Sequence, residues 1–138
     1  MIDIQLKEEP LSEQACQDLV KDDSAGGLVL FTGTVRNHTK GKEVIRLEFE
    51  SYAPMALKEM EKIARAAMDK WDILHIAIHH RVGVLEIGEI PVLIAVGAAH
   101  RKAAFEACAY AIDTLKETVP IWKKEIFADG AVWVAAHP

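Results

Sequence analysis

The stretch ILHIAIHHRVGVLEIGEIPVLIAVGAA, residues 73–99, decides how the chain is read. Gly83 and Gly88 punctuate an apolar run and divide it into ILHIAIHHRVG, VLEIGE and IPVLIAVGAA. Each piece is of strand length and bounded by a turn residue, so the stretch predicts three successive strands. His79 and His80 are neighbours on the first of them and therefore point to opposite faces.

Working outward, IDIQL near the start alternates and predicts another strand, followed by a short helix over LSEQACQDLVKD with Leu11, Ala15, Leu19 and Val20 on one face. Gly26 and Gly27 open LVLFTGTVR, whose continuous apolar run from Leu28 to Phe31 predicts a strand covered on both faces. NHTKGK reads as a mobile loop. In EVIRLEFESY, Val44, Arg46, Glu48 and Glu50 face one way and Ile45, Leu47, Phe49 and Ser51 the other. Pro54 suits the first turn of a helix running to about Trp71, with an apolar stripe of Leu57, Met60, Ala64, Ala67 and Trp71. A second long helix runs from about His100 to Val119, burying Ala104, Ala107, Cys108, Ala111 and Leu115. WKKEIFA and AVWVA flank Asp129-Gly130, a hairpin signal. Strands and helices mix without βαβ alternation, which predicts an α+β fold with largely antiparallel sheet. No linker or repeat interrupts residues 1–138, so a single domain is expected.

Composition narrows the function. With 51% hydrophobic and 27% charged residues, the chain is that of an ordinary globular protein. Its net charge of −5 argues against a general nucleic-acid binder, so any anion site must be a local cluster of Lys, Arg and His. No apolar run suits a membrane span, and the acidic MIDIQLKEEP lacks a signal-peptide layout, so a cytoplasmic protein is expected. Cys16 and Cys108 stand far apart and read as buried thiols of a reducing compartment. The histidines and cysteines lack metal-ligand spacing, and neither a P-loop nor a nucleophile elbow occurs.

Basic residues supply the remaining candidates. His100, Arg101 and Lys102 occupy a helix start with no Ser, Thr, Asp or Asn cap, although the helix dipole disfavours cations there. Either these uncapped amides and cations take a phosphate or sulfate, or they are surface charge tolerated at a cost of a few tenths of a kcal/mol. Gly33, inside a strand pattern, marks a bulge or close backbone approach, and Arg36 sits where strand gives way to loop. Lys116 lies at the border of its helix's apolar stripe, where snorkelling and the dipole suffice to explain it in isolation.

Taken in order, FTGTVR, ESYAPMA, HHRVGVLEIGE, AAHRKAAFEA and LKETVPIWKKE resemble the large, catalytic subunit of molybdopterin synthase, the MoaE family, across residues 2–135. The resemblance implies an α/β hammerhead-like domain with an additional, mainly antiparallel sheet. It implies sulfur transfer from the C-terminal Gly-Gly thiocarboxylate of a small ubiquitin-like sulfur-carrier subunit to cyclic pyranopterin monophosphate, which is substrate rather than cofactor. The implied assembly is a homodimer with two small subunits, a heterotetramer. Carried over by position, substrate binding falls on Thr34, Val35, Arg36, His100, Arg101, Lys116, Lys123, Lys124 and Glu125, with Lys116 and Lys123 catalytic and no metal. Lys116 is then general acid/base or transient acyl partner, its pKa lowered by the cationic cluster, and Lys123 an electrostatic stabiliser. Alternation should send Lys124 away from Lys123. Two rival readings use the same residues: a non-catalytic module binding a phosphorylated metabolite, and a scaffold docking a ubiquitin-like protein.

Overall fold

The computed structural model describes residues 1–135. Its elements are β1 (Ile2–Lys7), α1 (Glu13–Leu19), β2 (Gly27–Gly33), β3 (His38–Thr39), β4 (Lys42–Ser51), α2 (Ala53–Lys70), β5 (His75–Arg81), β6 (Gly83–Glu86), β7 (Val92–Ala98), α3 (Arg101–Thr118), β8 (Ile121–Phe127) and β9 (Gly130–Ala135). One sheet has the order β1-β5-β7-β2, parallel only at β1–β5. Helices α2 and α3 pack on one face and α1 on the other. That double cover explains the apolar run of residues 73–99. Ile76, Ile78, Ile94 and Val96 belong to the larger core, while Ala77, Leu93 and Ala95 pack with Cys16 and Val20.

The second sheet, order β3-β4-β8-β9 with β6 also on β4, is antiparallel throughout. The α+β architecture and the added antiparallel sheet agree with expectation. The middle strand of the deciding stretch does something periodicity could not announce. β6 pairs with neither flanking strand and joins β4 instead, the chain leaving its first sheet at Gly83, φ +101°.

Several local readings are corrected. A bulge between Val44 and Arg46 resets the alternation of β4, so Val44 joins Leu47 and Phe49 inside while Ile45 is exposed. β2 is covered on both faces, Val29 and Phe31 packing on the larger core and Leu30 on the smaller, but as an edge strand it is only partly buried and leaves Leu28 exposed. NHTKGK is a hairpin, β3 pairing with β4 through Lys40 and Gly41, both at positive φ as a two-residue turn requires. The α2 stripe is centred on Ala56, Met60, Ile63, Ala64 and Ala67, with Leu57 exposed and Trp71 following the helix. Ser12 caps α1, which buries Cys16 and leaves Ala15 exposed. The β8–β9 turn is Ala128–Asp129, with Gly130 already paired to Phe127. α3 buries the five residues expected of it.

Candidate functional site

After Gly33 the chain passes beside the β6–β7 connection. The Val35 amide donates to the Glu89 carbonyl at 2.9 Å, and the Gly88 amide donates to the Val35 carbonyl at 2.9 Å. This two-sided clamp buries Val35 and leaves Thr34 and Arg36 bordering a cavity. Arg81 secures the clamp: Nη1 donates to Glu89 Oε2 at 2.9 Å and Nε to the Glu8 carbonyl at 2.9 Å. Glu89 Oε1 accepts the Glu86 amide at 2.8 Å; this bond, then Arg81, holds the Glu89 carboxyl below its ordinary range. Gly33 is a close approach of the kind expected, because a Cβ there would lie 2.6 Å from Val92 Cγ1.

The opposite wall comes from the segment around Pro120. Leu115 ends the buried stripe of α3, and Lys116 follows it in the last turn, where the dipole favours a cation. β8 then pairs with β4, burying Ile121, Glu125 and Phe127, and Lys123 shares their face. The cavity, about 480 Å³, therefore draws Arg36, Lys116 and Lys123 together with Thr34 over a floor that includes Phe31, Leu47, Phe49 and Leu115. No carboxylate borders it among the described residues. An acidic protein has gathered three cations around one space.

Their mutual repulsion is visible in Lys123. Burial first, then the charges of Lys116 and Arg36, lower its pKa against the opposing pull of Glu125. The lysine with the lowered pKa is thus the one expected to be an electrostatic stabiliser. The sign is that of a base disfavoured in its charged form: stability recovers as pH rises through the folded pKa toward the unfolded one. Lys116→Ala is expected to raise the Lys123 pKa toward the ordinary lysine value. An NMR titration of the lysine side chains checks this, and an unmoved Lys123 would remove Lys116 from the causes of its lowered pKa.

Other expected site residues lie elsewhere. Lys124 is on the reverse face of β8, its Nζ 5.5 Å from the Trp133 ring centre, as alternation required. Glu125 is buried next to the cavity without bordering it, and Val35 is turned inward. His100 and Arg101 are exposed at the start of α3, where no side chain caps the helix. At about 1.5 Å per residue they stand roughly 22 Å along α3 from Lys116, too far to share this cavity within one chain. The reading of residues missed His80, 3% exposed and bordering the cavity. Strand alternation held the signal, since it aligns His80 with the core residues Ile76 and Ile78.

Neither cysteine competes for a chemical role: both are buried, and burial is the main cause pushing each thiol up to about 11. Among the described residues no group of three or more His, Cys, Asp or Glu could hold a metal.

Known proteins resemble this chain in sequence and in fold. The MoaE family profile, described as MoaE protein, matches residues 6–118. The chain belongs to the MoaE family. It is 48% identical over 125 residues to the human molybdopterin synthase catalytic subunit, covering 91% of this chain and 66% of that protein. It is 47% identical to the Bacillus subtilis protein of the same name, covering 91% of this chain and 80% of the relative. The crystal structure of molybdopterin synthase from Staphylococcus aureus superposes with a TM-score of 0.89 at 43% identity, covering 94% of each chain. Membership makes the chain an enzyme subunit of molybdenum cofactor biosynthesis.

Proposed function

We propose that the chain transfers sulfur from the C-terminal thiocarboxylate of a small ubiquitin-like subunit to cyclic pyranopterin monophosphate, forming the dithiolene of molybdopterin. The observation that carries this reading is the convergence of Arg36, Lys116 and Lys123 on one cavity with an apolar floor. Cations suit the cyclic phosphate, and the floor suits the faces of a flat heterocycle. The nucleophilic sulfur arrives with the partner, so two inert thiols are no obstacle. This chain supplies orientation and offsets charge as the cyclic ester opens. Lys116, at the cavity edge, acts as general acid/base or transient acyl partner. Lys123, easier to deprotonate than an ordinary lysine, both stabilises charge and exchanges protons. Thr34 orients the substrate at the rim. The pterin is substrate, and the reaction needs no resident cofactor.

The relatives' designation as a catalytic subunit implies a further subunit, and we take it to be the small sulfur carrier, two per homodimer. A cytoplasmic location is part of the same reading, and no helix among the described residues is long and apolar enough to cross a membrane. The decisive experiment mixes the protein with thiocarboxylated partner and cyclic precursor. Dithiolene product is expected; precursor binding without product would reduce the chain to a binding module, and partner binding alone to a scaffold.

The distant His100 and Arg101 have a place in this scheme if they serve the cavity of a second copy. Phe105, 59% exposed one turn beyond Arg101, gives that end of α3 an apolar surface suited to an interface. Arg101→Ala and Lys116→Ala proteins, each inactive, are then expected to complement when unfolded and refolded together. Half the dimers would be mixed, each with one intact site, so about a quarter of wild-type activity should return. Absence of any recovery would remove His100 and Arg101 from the site.

A further inference from the structure

The cavity is rich in hydrogen-bond donors, since Arg36, and Lys116 and Lys123 in their charged forms, carry no acceptor. A phosphate satisfies such groups, but a nitrogen heterocycle attached to it brings N–H groups of its own. Thr34 is exposed, and its hydroxyl donates or accepts as required, so it does not discriminate. His80 does.

The His80 ring borders the cavity edge-on to Phe49, their centroids 5.6 Å apart. Its Nδ1 lies 2.8 Å from the Arg81 carbonyl oxygen. A carbonyl only accepts, so Nδ1 carries the hydrogen and Nε2 is left with a lone pair. Burial depresses the imidazole to about 4, against the smaller opposing effect of the Arg81 bond, which keeps the neutral form at neutral pH. Nε2 has no partner among the described residues. An unpaired acceptor thus sits on a buried ring that borders a donor-lined cavity.

Building on the function proposed above, we infer that His80 Nε2 accepts a hydrogen bond from a ring N–H or amino group of the bound heterocycle. The cavity thereby selects phosphorylated rings bearing N–H donors over other phosphate esters. Removing the acceptor strands a buried ligand donor, which penalises such a ring and leaves a plain anion indifferent.

Calorimetry with two probes tests this. His80→Leu is expected to weaken cyclic pyranopterin monophosphate by about tenfold or more while leaving inorganic phosphate binding unchanged. Because the variant also strips the Arg81 carbonyl of its donor, the unaltered protein provides a second measurement. In histidine-labelled protein, saturating precursor should shift the His80 Nε2 nitrogen resonance, and inorganic phosphate should not. Equal precursor affinity in wild type and folded variant, or an Nε2 resonance unmoved by precursor, overturns the assignment alone. A wild-type protein that binds inorganic phosphate but not the precursor overturns the functional proposal and this assignment with it.

Discussion

Lys116→Ala is expected to slow single-turnover dithiolene formation by about 10²–10⁴-fold, the range associated with a positioned acid or base. The side chain belongs to an exposed residue in the last turn of α3 and borders the cavity. Its removal leaves no void, because the packing there belongs to Leu115 and Val119, both buried. Stability should therefore change by less than about 1 kcal/mol, as for most exposed positions. Binding of the small partner should survive, since interface energy concentrates in buried anchors. Lys116→Arg keeps the charge but holds its proton at working pH, so it should not restore turnover. The measurement is conversion of precursor with thiocarboxylated partner in excess, alongside thermal melting. A variant that turns over near the wild-type rate would return Lys116 to the role of a snorkelling surface lysine.

Gly97→Ala is expected to damage the fold while touching nothing that binds substrate. A Cβ at Gly97 would lie 2.2 Å from the Val20 carbonyl oxygen and 3.3 Å from Leu28 Cδ2. The first neighbour is backbone at the end of α1, so no rotamer change relieves the clash. Nor can β7 withdraw easily, being central in its sheet, with the Gly97 carbonyl accepting from the Leu74 amide at 2.8 Å. Overpacking of this kind costs roughly 1–3 kcal/mol or somewhat more where backbone must move. Urea unfolding should show a lower midpoint at unchanged slope, with turnover per folded molecule preserved. An unaltered midpoint would mean that α1 shifts freely on the sheet.

Much of this architecture was legible from residue order, because it is written in local periodicity. The five residues buried by α3 follow from a 100° repeat, and the opposed fates of Lys123 and Lys124 follow from a repeat of two. The strand run of residues 73–99 and the start of α2 near Pro54 are equally local statements. The resemblance to a family added which lysines to watch, and two of them do share a cavity.

Pairing between distant segments decided the rest. Ile45 faces out because β4 bulges against β8, some eighty residues later in the chain, and no repeat within β4 encodes that extra residue. β6 changes sheets because β4 offers it an edge. His80 becomes a cavity residue only when α3 and β8 close over the face that alternation gave it. Lys123 owes its lowered pKa to burial and to charges from two other segments, which no window along the chain contains. His100 and Arg101, adjacent to nothing else in the site, are carried away from Lys116 by the rigid rise of the helix that joins them. Short-range order depends on neighbours in sequence, whereas a cavity and its electrostatics depend on which surfaces meet, and that is settled when the chain packs.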